Sequence, residues 1–193
     1  TDQNAVHIVI KSISNFPENL RCDLNENLVR DIQKLVLDPY GVCVAKKFYH
    51  ESPKCRSLMF SNLKNCFLEV IQNPYGNYFI QTIIELTPPK DREPLFKVLL
   101  GNLISLSNQK YSSNVVLKLM ELGNKSEKKK MIVKLFNPEK LGTVKKNKYL
   151  INVLTKGAEI MSSEIQKFFL ESFSAYPKLQ FITNIILTKM KGV

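Results

Sequence analysis

Four segments of this chain superimpose on one another, and no other feature restricts its fold as much. They are Asp38-Pro39-Tyr40-Gly41-Val42-Cys43-Val44-Ala45-Lys46, Asn73-Pro74-Tyr75-Gly76-Asn77-Tyr78-Phe79-Ile80-Gln81, Gln109-Lys110-Tyr111-Ser112-Ser113-Asn114-Val115-Val116-Leu117 and Asn147-Lys148-Tyr149-Leu150-Ile151-Asn152-Val153-Leu154-Thr155. Their tyrosines follow one another at intervals of 35, 36 and 38 residues. A weaker copy without tyrosine runs from Asn4 to Lys11, and Asn4 stands 36 residues before Tyr40. A fixed period of this length belongs to stacked supersecondary units, each too small to bury its own apolar face. The chain is therefore expected to be a solenoid whose function lies on a surface repeated from unit to unit.

The apolar spacing is that of helices. Leu95, Val98, Leu99, Leu103 and Leu106 recur at steps of three and four, as do Val115, Val116, Leu119, Met120 and Leu122. Leu58, Met59, Leu63, Phe67, Leu68 and Ile71 repeat the pattern one unit earlier. Breakers separate these stretches: Pro53, Pro74, Pro88-Pro89, Gly123-Asn124, Pro138 and Gly142. Each unit of about 36 residues thus reads as helices opening at the Tyr-Gly or Tyr-Ser motif, with Asn or Asp before the motif to cap the free amides. The units are expected at about 1–35, 36–70, 71–106, 107–144 and 145–161 of a single domain spanning 1–193. An irregular cap over Ser162 to Val193 covers the last apolar face.

Composition narrows the partners. The 28 basic and 17 acidic residues leave a net charge of +11, which favours a polyanion such as nucleic acid. No apolar run reaches the length of a membrane span, and no signal peptide is read at the polar start. Cys22, Cys43, Cys55 and Cys66 lack metal or redox spacing and read as small reduced core residues. His7 and His50 have no acidic neighbours at ligand spacing, so neither metal nor cofactor is expected. No nucleophile triad, carboxylate pair or phosphate-cradling glycine loop emerges, which argues against an enzyme. Lys125 to Lys130 reads as a connection and helix start, serving either as a solvated face or as a phosphate contact.

Tyr75-Gly76-Asn77-Tyr78-Phe79-Ile80-Gln81 resembles the recognition helix of a Pumilio-family (PUF) repeat, and Ser113-Asn114-Val115-Val116 resembles the repeat that follows it in that family. The resemblance covers essentially the whole chain and is similar to the C-terminal half of such a domain. It implies an all-α fold, an α-solenoid of about five three-helix repeats forming a curved right-handed superhelix. It also implies single-stranded RNA as partner, one base per repeat, read by the first, second and fifth residues after each Tyr-Gly pair. On that pattern Asn77 and Gln81 hydrogen-bond a uracil edge and Tyr78 stacks on bases. Ser113 and Asn114 match a guanine-reading repeat, with Leu117 where glutamate is expected. Val42, Cys43 and Lys46 occupy an adenine-type repeat, Ile151, Asn152 and Thr155 keep a stacker and a hydroxyl, and Val6, His7 and Ile10 keep the ring of His7.

Three functions are compatible with this pattern. The resemblance implies a cytoplasmic regulator that binds 3′ untranslated regions of mRNA and represses them. A nucleolar protein that binds RNA through its basic surface with little base reading is the alternative. The third is a protein scaffold, for which the longer Tyr111 to Tyr149 interval suggests an outer loop near Asn137 to Thr143 as the docking place.

Overall fold

The computed structural model describes residues 3–15 and 25–190, and every regular element among them is helical. Cys22 and residues 191–193, the end of the expected cap, lie outside the described residues. In chain order the helices are α1 (Gln3–Asn15), a turn of helix at 25–30, α2 (Ile32–Leu37), α3 (Gly41–Glu51), α4 (Pro53–Leu63), α5 (Phe67–Gln72), α6 (Gly76–Leu86) and α7 (Glu93–Gly101). They continue with α8 (Leu103–Ser107), α9 (Ser112–Leu122), α10 (Lys125–Leu135), α11 (Pro138–Leu141), α12 (Lys148–Glu159) and α13 (Ser163–Ser174). A 3₁₀ turn at Pro177–Leu179 and α14 (Gln180–Met190) complete the set. The chain divides into two compact units, Thr1–Leu95 and Phe96–Val193.

The tyrosine motifs open α3, α6, α9 and α12, and the physical reason sits just upstream. Asp38 Oδ1 accepts the backbone N–H groups of Tyr40 (2.9 Å) and Gly41 (2.7 Å). Asn73 Oδ1 accepts those of Tyr75 (2.8 Å) and Gly76 (2.9 Å), and Asn147 Oδ1 those of Tyr149 and Leu150 (both 3.0 Å). Each side chain satisfies amides that the first turn leaves without intrahelical partners. Gly41 and Gly76 are required for closeness rather than for conformation. A Cβ at Gly41 would lie 2.6 Å from the Leu35 carbonyl oxygen, and one at Gly76 would lie 2.7 Å from that of Val70. The third repeat carries Ser112 at this place, and its hydroxyl donates to the equivalent Leu106 carbonyl at 2.7 Å. The short and long helices therefore meet backbone against backbone at Gly41 and Gly76, and through the serine hydroxyl at Ser112.

The far ends of the same four helices share a second device. Arg56 donates from Nε to Tyr49 O (2.7 Å) and from Nη2 to His50 O (2.9 Å), closing the last turn of α3. Arg92 Nη1 donates to the carbonyls of Ile84 and Thr87 at the end of α6. Lys128 Nζ donates to Glu121 O (2.9 Å) at the end of α9, and Gln166 Nε2 to Ala158 O (2.9 Å) at the end of α12. These four donors follow one another at intervals of 36, 36 and 38 residues, close to the tyrosine period. Each fills carbonyls that a helix C-terminus leaves open.

Packing within the first unit joins α1 to α3 and α3 to α6. Phe48, Tyr49, Phe67 and Phe79 are fully buried there, and the Tyr49 and Phe79 rings meet edge to face at 5.4 Å. Burial pushes the Tyr49 phenol above its ordinary pKa, and its hydroxyl shares a 2.6 Å hydrogen bond with Thr87 Oγ1. In the second unit α9 packs on α12, which in turn packs on α14. Phe136 lies with Phe169 (5.4 Å) and Phe173 (6.5 Å) beneath Gly157, where a Cβ would come within 2.8 Å of the Phe136 ring. The C-terminal segment consists mostly of α13 and α14 packed on each other.

Two sequence expectations change. Cys43 is exposed, and Cys55 and Cys66 are only half-buried, so these cysteines are not core residues. Cys43 follows the buried Val42 by one residue, and the 100° step of a helix turns it outward. Segment 137–143 is not an open loop. Asn137 Oδ1 accepts the Lys140 N–H (3.0 Å) to start α11, and the additional residues of this repeat fall at 142–147, between α11 and α12.

Candidate functional site

The residues at the first, second and fifth places after each motif form a repeated local pattern. The first is buried in α3, α6 and α9 (Val42, Asn77 and Ser113) and half-buried in α12 (Ile151). The second is exposed every time: Cys43, Tyr78, Asn114 and Asn152, with His7 doing the same on α1 behind the buried Val6. The fifth is exposed for Lys46 and half-buried for Gln81, Leu117 and Thr155, as Ile10 is on α1. Helix geometry explains the order. The first and fifth residues lie one turn apart on one side, and the second points about 100° away from the first. The first is the deepest because the preceding short helix presses on the helix start, as at Gly76.

In the first unit, α3 and α6 lie side by side and bring Cys43, Lys46, Tyr78 and Gln81 onto neighbouring helices. Tyr78 leaves 52% of its surface open, a large exposure for an aromatic ring. Asn77 is only 1% exposed, and its side chain is committed internally. Nδ2 donates to the carbonyls of Asn73 and Pro74, both at 2.9 Å. With the amide nitrogen held there, Asn77 Oδ1 must face the next turn, where it accepts a hydrogen from Gln81 Nε2 at 3.2 Å. That bond turns Gln81 so that its carbonyl oxygen and second N–H remain for a ligand. The sequence pattern pairs Asn77 and Gln81 as equal contacts, whereas the structure has one amide orienting the other.

In the second unit α9 and α12 are the neighbouring pair. Ser113 Oγ donates to Lys110 O (3.3 Å) and Thr155 Oγ1 to Ile151 O (2.8 Å), so both hydroxyls are engaged with their own helix starts and turns. Asn114 and Asn152 are the open polar side chains, and Leu117 offers only apolar surface. Two residues that the triplet pattern passes over stand beside them. Lys110 Nζ lies 5.1 Å from the centre of the Tyr111 ring, and Lys148 Nζ 5.2 Å from that of Tyr149. The signal was present in the sequence, since prolines occupy this place in the first unit (Pro39 and Pro74) and lysines in the second.

Nothing in the site is arranged for bond-making chemistry. Among the described residues no group of three His, Cys, Asp or Glu could hold a metal ion, and no helix is long and apolar enough to cross a membrane. What the helices present is an aromatic face, amide edges and ammonium groups, the set that recognises bases and phosphates.

Comparison with known proteins agrees with this inventory. The family model for the Pumilio-family RNA binding repeat matches residues 66–100 and 102–136. Pumilio homolog 12 of Arabidopsis thaliana is 30% identical over 148 residues, which are 76% of this chain and 25% of that protein. A Pumilio domain-containing protein of Schizosaccharomyces pombe is 27% identical over 141 residues, 72% of this chain and 21% of that protein. The chain thus spans a quarter or less of these two relatives. Among solved structures, PUF-8 in complex with PBE-RNA matches 99% of this chain and 59% of its own, with a TM-score of 0.80 at 24% identity. The Puf3 RNA binding domain bound to the Cox17 RNA 3′ UTR recognition sequence site A matches 98% and 60%, with a TM-score of 0.78 at 22% identity. These likenesses establish an all-α repeat fold of the PUF-domain kind.

Proposed function

We propose, because this chain belongs to the Pumilio family of RNA-binding repeat proteins, that it binds single-stranded RNA and takes successive bases on successive repeats. Members of that family are binding proteins and not enzymes, and this chain is one of them. The observation that carries the reading is the regular exposure of the second residue on α3, α6, α9 and α12, an open tyrosine at one of them, with the fifth residue exposed or half-buried one turn on. A base stacks on Tyr78 while its edge meets Gln81. The free carbonyl of Gln81 accepts uracil's N3–H, and its second N–H donates to a uracil carbonyl. Asn77 is the positioning residue that fixes this donor and acceptor order. Asn114 and Asn152 supply further polar contacts, Leu117 removes the acceptor that guanine needs, and Cys43, Lys46, Thr155 and His7 make looser contacts.

This arrangement suits recognition of mRNA 3′ untranslated regions and post-transcriptional repression in the cytoplasm, a reading supported by the RNA bound to the Puf3 neighbour. The same reading proposes a protein partner at segment 137–143, supported by the solvent exposure of Glu139, Lys140, Gly142 and Thr143.

Tyr78 gives the test. Replacing it with alanine is expected to weaken binding of uridine-containing RNA by about 1–3 kcal/mol, the range for loss of one base-stacking ring. Tyr78→Phe should retain nearly all affinity in the same fluorescence titration. An alanine variant that binds as tightly as the unaltered chain would remove α6 from the recognition surface.

A further inference from the structure

The net charge of +11 is not spread over the chain. Residues 1–95 contain 11 basic and 11 acidic residues and are neutral, whereas residues 96–193 contain 17 lysines, no arginine and six glutamates. The whole excess belongs to the second compact unit. Two of its six carboxylates are already engaged. Glu127 closes the capping box that starts α10, and Glu159 bonds Lys189 and Lys156, which hold its carboxyl below the usual range.

Among the described residues, four exposed lysines of this unit lie over rings; Lys130 stands over Phe96 at 6.0 Å on α10, and the other three sit at the starts of α9 and α12. Lys110, Lys146 and Lys148 are exposed, and their ammonium groups lie over the rings of Tyr111 (5.1 Å), Phe181 (4.7 Å) and Tyr149 (5.2 Å). A lysine lying on a ring keeps its charge in water while its stem is restrained, so less rotamer freedom is lost when an anion binds. None of the three has a carboxylate partner among the described residues. All three stand within three residues of the start of α9 or α12, the two helices whose triplets have lost base-reading groups at Leu117 and Ile151. The first unit keeps the intact Tyr78 and Gln81 pair and places prolines where Lys110 and Lys148 stand.

We infer that the two units divide the work: residues 1–95 supply the discrimination between bases, and residues 96–193, beside the polar contacts of Asn114 and Asn152, supply affinity by holding the RNA phosphates through Lys110, Lys146 and Lys148. The inference rests on the RNA-binding reading above and adds to it where the affinity and the specificity reside. Lysine suits this role because it is a compact point charge without the planar fork that arginine uses for bidentate recognition. Phosphate contacts fix position and affinity and carry no base information.

The test compares the salt dependence of binding to an oligouridine and an oligocytidine. For a single strand each neutralised phosphate adds about 0.7 to the slope of log affinity against log salt. The K110Q/K146Q/K148Q chain should lose about 2 from that slope on both oligonucleotides. Its preference for uridine over cytidine should be unchanged, and K110R/K146R/K148R should restore the slope. Tyr78→Ala should do the reverse, lowering affinity for the oligouridine with the slope intact. A glutamine variant with the slope of the unaltered chain, or one whose uridine preference falls with it, overturns the division of work. Failure of the unaltered chain to bind either oligonucleotide rejects the RNA-binding reading itself.

Discussion

Phe136→Ala is expected to lower the unfolding free energy by about 3–5 kcal/mol, the cost of emptying a fully buried aromatic site. Phe136 has no exposed surface, and three groups converge on it. The rings of Phe169 and Phe173 lie 5.4 and 6.5 Å away, and Gly157 of α12 is so close that no Cβ could stand there. Relaxation cannot fill the hole, because α12 already touches the ring with bare backbone. Phe136 ends the long helix of one repeat, Gly157 belongs to the recognition helix of the next, and Phe169 and Phe173 come from α13. The lost ring therefore loosens three elements together. Urea unfolding followed by circular dichroism measures the loss, and a change below about 1 kcal/mol would contradict this packing.

Arg92→Met is expected to cost about 3 kcal/mol, since hydrogen bonds from a charged donor contribute about 1.5–3 kcal/mol and buried carbonyls left alone add a penalty. Arg92 is 3% exposed and donates to the carbonyls of Ile84 in the last turn of α6 and of Thr87 just beyond it. Methionine fills a similar volume without a donor. Fraying would begin at the C-terminal end of α6, beyond Gln81 at its middle and Asn77 at its start, so RNA affinity at temperatures well below melting should hardly move. The unfolding midpoint together with RNA affinity of the same variant checks both halves. An unchanged midpoint would mean that the Arg92 bonds contribute nothing net.

The period and the helix starts are readable in the sequence, because both follow from local rules, whereas the exposure of Cys43 is not. Asp38, Asn73 and Asn147 recur before the tyrosines, and the side chains they use to cap are the ones the structure shows engaged. The capping of the opposite ends was not readable in the same way. Arg56, Arg92, Lys128 and Gln166 are three residue types doing one task, so identity hides what the 36-residue interval would have shown. The depth of Asn77 was also invisible, since it depends on how closely α5 approaches Gly76, a tertiary fact. That depth separates the roles of two amides which the motif presents as equals. The charge divide needed only counting, but it acquires meaning from the boundary between Leu95 and Phe96, which the structure supplies.

The measurement that bears most directly on base reading is selection of bound sequences from a random RNA library, carried out on the unaltered chain and on N77S/Q81E. Gln81 offers an acceptor and a donor to uracil, whereas glutamate offers acceptors only, which suit the adjacent N–H groups of guanine. The unaltered chain should enrich uridine at one position, and the double variant should enrich guanosine at that position while the rest of the profile stays as it was. A profile that is the same for both proteins, or one that shifts at several positions together, would contradict reading of one base by the start of α6.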